Sequence, residues 1–131
     1  MAEHQISWLV ADKVILISVT RWNTPLELAE TCNEVRDFVA SSHETLVHTI
    51  WDFRQLEHYP QNVTSIASAT KNLFTHSQLG WVITIVHSPT LRFFTHMGTS
   101  IYRVRHRNVQ TYEEAVEHLK TVDSTLIHTE I

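Results

Sequence analysis

Two rhythms of apolar residues alternate along this chain. From Ile6 to Trp22 the pattern is that of two strands broken at Asp12 and Lys13, and Val14 to Val19 is an almost unbroken β-branched and aliphatic run. A run that is apolar on both faces belongs inside a sheet. Thr24, Pro25 and Glu27 then supply an N-cap, a first-turn proline and the third-position acid of a capping box. Leu28, Cys32, Val35 and Val39 follow at helical spacing, which predicts a helix from about Pro25 to Ser41. Leu46 to Phe53 reads as the third strand, ended by the polar stretch Arg54 to Gln61 with Tyr59 and Pro60 inside it.

The alternation continues to the C-terminus. Asn62 or Thr64 is positioned to cap a second helix with an apolar face of Val63, Ile66, Ala67, Thr70, Leu73 and Phe74, and Gly80 is expected to stop it. Trp81 to Val86 is a fourth strand. Ser88 and Pro89 open a third helix whose stripe is Leu91, Phe94, Met97 and Ile101. Arg103 to Arg107 reads as a short fifth strand, and the capping box of Thr111 and Glu114 opens a last helix burying Tyr112, Ala115, Val116, Leu119, Val122 and Leu126. The order is ββαβαβαβα. Helices that link strands in this way act as crossovers, so the fold class is α/β: one domain over residues 1–131, with a mostly parallel five-stranded sheet opened by a hairpin.

Composition narrows the class of function. With 43% hydrophobic and 18% charged residues, the chain belongs among folded globular proteins. A net charge of −4 argues against nucleic acid as a partner. The local exception is Arg103, Arg105 and Arg107, which alternate along the fifth strand and are read as a charged sheet edge protected from pairing with other chains. The single cysteine, Cys32, excludes an internal disulfide and falls on an apolar helical stripe, as a core residue would. Met1 to Gln5 carries no basic cluster ahead of a signal-like run, and no stretch is long enough for a membrane helix, so a soluble cytoplasmic protein is expected.

The element order from Ile6 to about Ile127 resembles that of the STAS domain of anti-sigma-factor antagonists and the wider SpoIIAA-like superfamily. In those antagonists the third strand runs into an Asp-aliphatic-Ser motif at the start of the second helix, and the serine is the regulatory phosphorylation site. Here Asp52 and Phe53 are followed by Arg54, and about eight more loop residues precede the helix. The resemblance therefore implies a regulatory protein-interaction module without its usual phosphosite. Thr64 and Ser65 are the only replacements at hand, and both read as ordinary residues of a helix start.

Chemistry has few footholds. The chain has ten histidines, but no two sit at the four-residue helical spacing of zincin-type sites, so no metal is expected. No Gly-x-Ser-x-Gly elbow and no glycine-rich phosphate loop occurs, so no cofactor is expected and enzyme activity is disfavoured. In open parallel sheets, ligands and partners bind beyond the C-terminal ends of the strands. Those ends here carry Arg21, Trp22, Asp52, Arg54, His58, Tyr59, His87 and Ser88, with Trp22 and Tyr59 the aromatics expected to be exposed. The first reading is a non-enzymatic module that binds a protein partner there, or a second copy of itself as a homodimer. The alternative is a small anionic or lipid-like ligand, bound or acted on in a closed pocket where Arg21, Arg54 and His87 converge.

Overall fold

Strand β1 (Glu3–Val10) turns at Ala11 to Lys13 into β2 (Val14–Arg21), with Asp12 taking the tight left-handed position at φ 65°. The two pair antiparallel, Ile6 against Ile17 and Trp8 against Ile15. This is a computed structural model, and it describes residues 3–131. Helix α1 (Pro25–Ser41) leads to β3 (Val47–Asp52), α2 (Val63–Phe74) to β4 (Leu79–Ile85), α3 (Pro89–Ile101) to β5 (His106–Val109), and α4 (Tyr112–Val122) follows, continued by a 3-10 turn at Ser124–Leu126.

The described residues form one five-stranded sheet in the order β1-β2-β3-β4-β5, antiparallel at its first pair and parallel thereafter. Each parallel strand is laid beside the last in the same direction. Right-handed crossovers therefore place α1, α2 and α3 on one face. Ile15, Ile17, Val19, Trp51 and Val82 point to that side and pack with Leu28, Cys32, Val35 and Leu73. The alternate residues Val14, Ile50, Ile83 and Ile85 point to the other face and pack under Ala115, Val116, Leu119 and Leu126 of α4 and its 3-10 turn. The central strands are buried on both sides, which is why β2 is almost continuously apolar instead of alternating, and why the polar His48 and Thr49 of β3 are buried too.

The structure departs from the sequence-based expectations at four places. Gly80 does not stop α2, which ends at Phe74 with Thr75 as its cap; it lies inside β4. There Val47 pairs with Leu79 but Thr49 pairs with Val82, so Gly80 and Trp81 form a bulge opposite His48. Strand β5 starts at His106, because Arg103 turns the chain at φ 56° as α3 ends. Arg107 consequently borders Glu113, Glu114 and Glu117 of α4 instead of joining a basic stripe. Ile101 and Val122, placed on buried stripes by periodicity, are exposed because each ends its helix beyond the sheet's cover. Trp22 is buried: its indole Nε1–H donates to Thr31 Oγ1 at 2.9 Å, and its ring meets Phe53 edge-on with centroids 5.4 Å apart.

One further contact ties the sheet to the end of α4. His48 Nδ1 accepts the N–H of Trp81 at 3.0 Å, so its Nε2–H is free to donate to Asp123 at 2.9 Å. Asp123 also accepts from the backbone N–H and hydroxyl of Thr125, which starts the 3-10 turn. A neutral imidazole of one fixed tautomer thus links the β4 bulge to the end of α4.

Candidate functional site

All four helices start at the C-terminal end of the parallel strands, and the three that cover the inner face are each closed by their own cap. Thr24 accepts the N–H of Glu27 at 3.2 Å, Asn62 that of Ser65 at 3.0 Å, and Ser88 that of Leu91 at 3.3 Å. Asn62 is therefore the cap of α2, and Thr64 and Ser65 fall in its first turn. The long loop after β3 is anchored to the end of β2: Trp22 N–H donates to the carbonyl of His58 at 2.8 Å and Glu57 N–H to that of Thr20 at 3.0 Å. This pairing turns Tyr59 and Pro60 back over the α2–α3 side of the sheet.

The charged residues of the rim are occupied with one another. Arg54 meets Asp52 in a two-pronged pair, Nε to Oδ1 at 2.9 Å and Nη2 to Oδ2 at 2.8 Å, while its backbone N–H also donates to Oδ1 at 3.1 Å. The hydrogen bond from Arg54 holds the Asp52 carboxyl below its usual range, outweighing the opposing effect of burial. Nearby His87 acts on the same carboxylate and donates Nε2–H to the Gln110 carbonyl at 2.8 Å. Arg21 pairs instead with Glu57 at 3.5 Å. Arg21 and Arg54 thus face different carboxylates, Glu57 and Asp52.

A different cavity lies beneath this rim. It occupies about 70 Å³ between the sheet and the three helices, partly open to solvent. Trp51, Val82 and Thr84 of the sheet form its floor; Leu28 and Cys32 of α1, Ile66, Thr70 and Phe74 of α2, and Leu91, Phe94, Thr95, Gly98 and Thr99 of α3 form its walls. Trp22, Phe53, Tyr59 and Pro60 complete it. Its surface is apolar almost throughout, and Cys32 belongs to that character, since burial pushes its thiol up to about 12. Of the sequence-derived candidates, Trp22 and Tyr59 reach this cavity, whereas Arg21, Asp52, Arg54, His58, His87 and Ser88 stay on the rim above it.

Periodicity alone misses the cavity because its lining is a mixture of aromatics and short residues that read as ordinary core. The available signal was Thr95, Gly98 and Thr99 on the inner side of α3, facing Thr70 of α2 and Thr84 of β4. Short side chains stand where leucines would otherwise fill the space. Gly98 also lets the two helices close on each other, as a Cβ there would meet Ile66 Cγ2 at 3.2 Å. Beside the cavity, burial lowers His106 from 6.5 to about 4, aided by the nearby charge of His96. Among the described residues, no three His, Cys, Asp or Glu side chains gather as a metal site would require.

No known protein-family model matches the chain, and no curated protein matches it in sequence. Among solved structures it is similar to the anti-sigma-factor antagonist SpoIIAA in its unphosphorylated form, at 14% identity and a TM-score of 0.59, over 92% of this chain and 99% of that one. It is also similar to the Bacillus cell fate determinant SpoIIAA in its phosphorylated form, at 17% identity and a TM-score of 0.54, over 89% of this chain and 99% of that one. The chain has the STAS or SpoIIAA-like fold, as the order of its elements led one to expect. No helix among the described residues is long and apolar enough to cross a membrane.

Proposed function

We propose that this chain is a non-enzymatic regulatory module that binds a protein partner through the rim formed by the starts of α1, α2 and α3. The observation that carries this reading is the exposure of two large apolar side chains there, Leu26 at 70% in the first turn of α1 and Phe93 at 55% at the start of the second turn of α3. Phe93 is backed by Phe94 at a centroid distance of 5.4 Å, and Phe94 by Tyr59 at 6.1 Å, so an aromatic ridge runs from solvent to the cavity mouth. Large aromatics in such settings are the usual anchors of protein interfaces. The likeness to an anti-sigma-factor antagonist supports the same class of role.

Regulation through a phosphoserine after β3 does not fit these residues. Arg54 stands where that hydroxyl is expected and already saturates Asp52. A small anion at the rim is also less well supported than a protein, since both rim guanidiniums already face carboxylates.

Affinity capture from the native lysate with the tagged chain tests the proposal, with mass measurement in solution to detect a second copy as the partner. Phe93→Glu is expected to weaken recovery or self-association at least tenfold, about 1.4 kcal/mol, while the melting temperature stays within a degree or two. Thr64→Asp and Ser65→Asp are expected to bind as the parent does, because an acid in the first turn suits the helix dipole and the folded domain tolerates it. A monomeric mass with nothing captured would sink the proposal; partner loss in Thr64→Asp or Ser65→Asp would restore a phosphorylation switch.

A further inference from the structure

The cavity beneath the rim has polar atoms around it, but they are directed elsewhere. Thr70 Oγ1 donates to the Ile66 carbonyl at 2.9 Å and Thr99 Oγ1 to that of Thr95 at 2.8 Å. Thr95 Oγ1 bonds the Arg92 carbonyl and Asn108 Oδ1, both at 2.9 Å, and Thr84 Oγ1 bonds His106 Nε2 at 3.0 Å and also Asn108. The indole N–H groups follow the same rule: Trp22 donates to Thr31 and Trp51 to Thr49, each at 2.9 Å. All these bonds are made within the surrounding secondary structure. What remains toward the empty space is methyl groups, ring carbon and the Cys32 thiol.

Such a space is a poor home for water, which needs two to four polar partners, and apolar cavities of this kind stay dry and take up apolar guests. No charged side chain lines it, so a carboxylate or phosphate inside would lose its hydration without gaining a partner. Its size sets the guest: about 70 Å³ is roughly half of the 150 Å³ apolar cavity that accepts benzene, and here the partly open mouth adds room. Rings on several sides, Trp22, Trp51 and Phe53 among them, favour edge-to-face contact with another ring.

We propose that this cavity is a binding site for a compact, uncharged, aromatic or branched hydrocarbon-like molecule, entering between the Tyr59–Pro60 loop and α3. Such a ligand differs in kind from an anionic ligand on the rim and does not depend on the partner-binding reading above. Bound there, it touches Phe94 and the loop that carries Tyr59, so it stiffens the inner side of the surface that displays Phe93.

Toluene is a suitable probe, titrated into the full chain with melting temperature and carbon-13 methyl spectra as readouts. The expected result is a saturable rise in melting temperature of several degrees, as linkage gives at ligand well above Kd. It should come with shifts of the Leu28, Leu91 and Val82 methyl signals. Decanoate at the same free concentration should move neither readout. Cys32→Leu, which fills the space, should fold and abolish both responses; Val82→Ile, a smaller filling that keeps the strand, should weaken them at least severalfold if the first variant is unstable. A flat toluene titration in the parent overturns the site. So does an equal response in the parent and in a folded filled variant, and an equal response to decanoate overturns its ligand chemistry.

Discussion

Replacing Gly80 with alanine should destabilise the protein by about 3 kcal/mol, a loss large enough to lower the melting temperature by on the order of 10 °C. The cause is the ring of His48, which occupies the space a Cβ would need: the added carbon would overlap Nδ1 and lie 2.8 Å from Cε1 and 3.3 Å from the Val47 carbonyl. That ring has nowhere to go. It is held at Nδ1 by the Trp81 N–H and at Nε2 by Asp123, and its side chain is almost wholly buried. Yielding would leave the buried Trp81 N–H without a partner, at about 1–3 kcal/mol, and would take from Asp123 one of its hydrogen bonds while those from Thr125 remain. Urea unfolding of Gly80→Ala, His48→Ala and the double variant provides the check. The double variant is expected to cost clearly less than the sum of the singles, because removing the ring removes the clash. If Gly80→Ala stays within about 0.5 kcal/mol of the parent, the bulge is softer than its hydrogen bonds imply.

Acid is expected to weaken the fold well above the range in which carboxylates titrate. His106 is lowered from 6.5 to about 4 by burial first and by His96 of α3 second, with its bond to Asn108 opposing. The sign follows from linkage: between these two values the unfolded chain takes up a proton that the folded imidazole refuses, so stability is full above pH 6.5 and falls as pH drops toward 4. Allowing for the partial exposure of the ring, the loss is about 2 kcal/mol. His118 is lowered too, by burial and then by Arg107, and adds to the same trend. Asp52 and Asp123 act at lower pH. Hydrogen bonds hold both folded carboxyls below their unfolded value, so their contribution disappears only as pH falls below about 3.9. Urea midpoints measured from pH 7 to 4.5 should therefore decline in the parent and decline much less in His106→Gln. Parallel declines in the two proteins would show that another group carries the effect.

The backbone of this protein was legible from its sequence wherever a local rule and the global pattern agreed. Thr24, Pro25 and Glu27 marked the start of α1, Thr111 and Glu114 that of α4, and the helical spacing of Leu28 to Val39 carried α1 to Ser41. The almost unbroken apolar run of β2 announced a strand covered on both faces. The errors fell where a tertiary contact overrides a local signal. Gly80 carries the ordinary mark of a helix stop, yet it is a glycine because of His48, thirty-odd residues earlier in the chain, and no window around Gly80 contains that information.

The same division runs through the candidate site. Sequence by itself determined which residues stand at the rim, since that depends only on where strands end and helices begin. It also showed that Asp52 is followed by Arg54 and not by a serine. Only the tertiary structure decided that Asp52 and Arg54 close on each other, that Trp22 turns inward to Thr31, and that Thr70, Thr84, Thr95 and Thr99 present methyl groups to a shared empty space. Side-chain direction and packing volume are properties of residues distant in the chain, set when three crossover helices settle on one face of a sheet. A hydrophobic pattern specifies which side chains go inside; whether they fill the interior depends on how their shapes meet there.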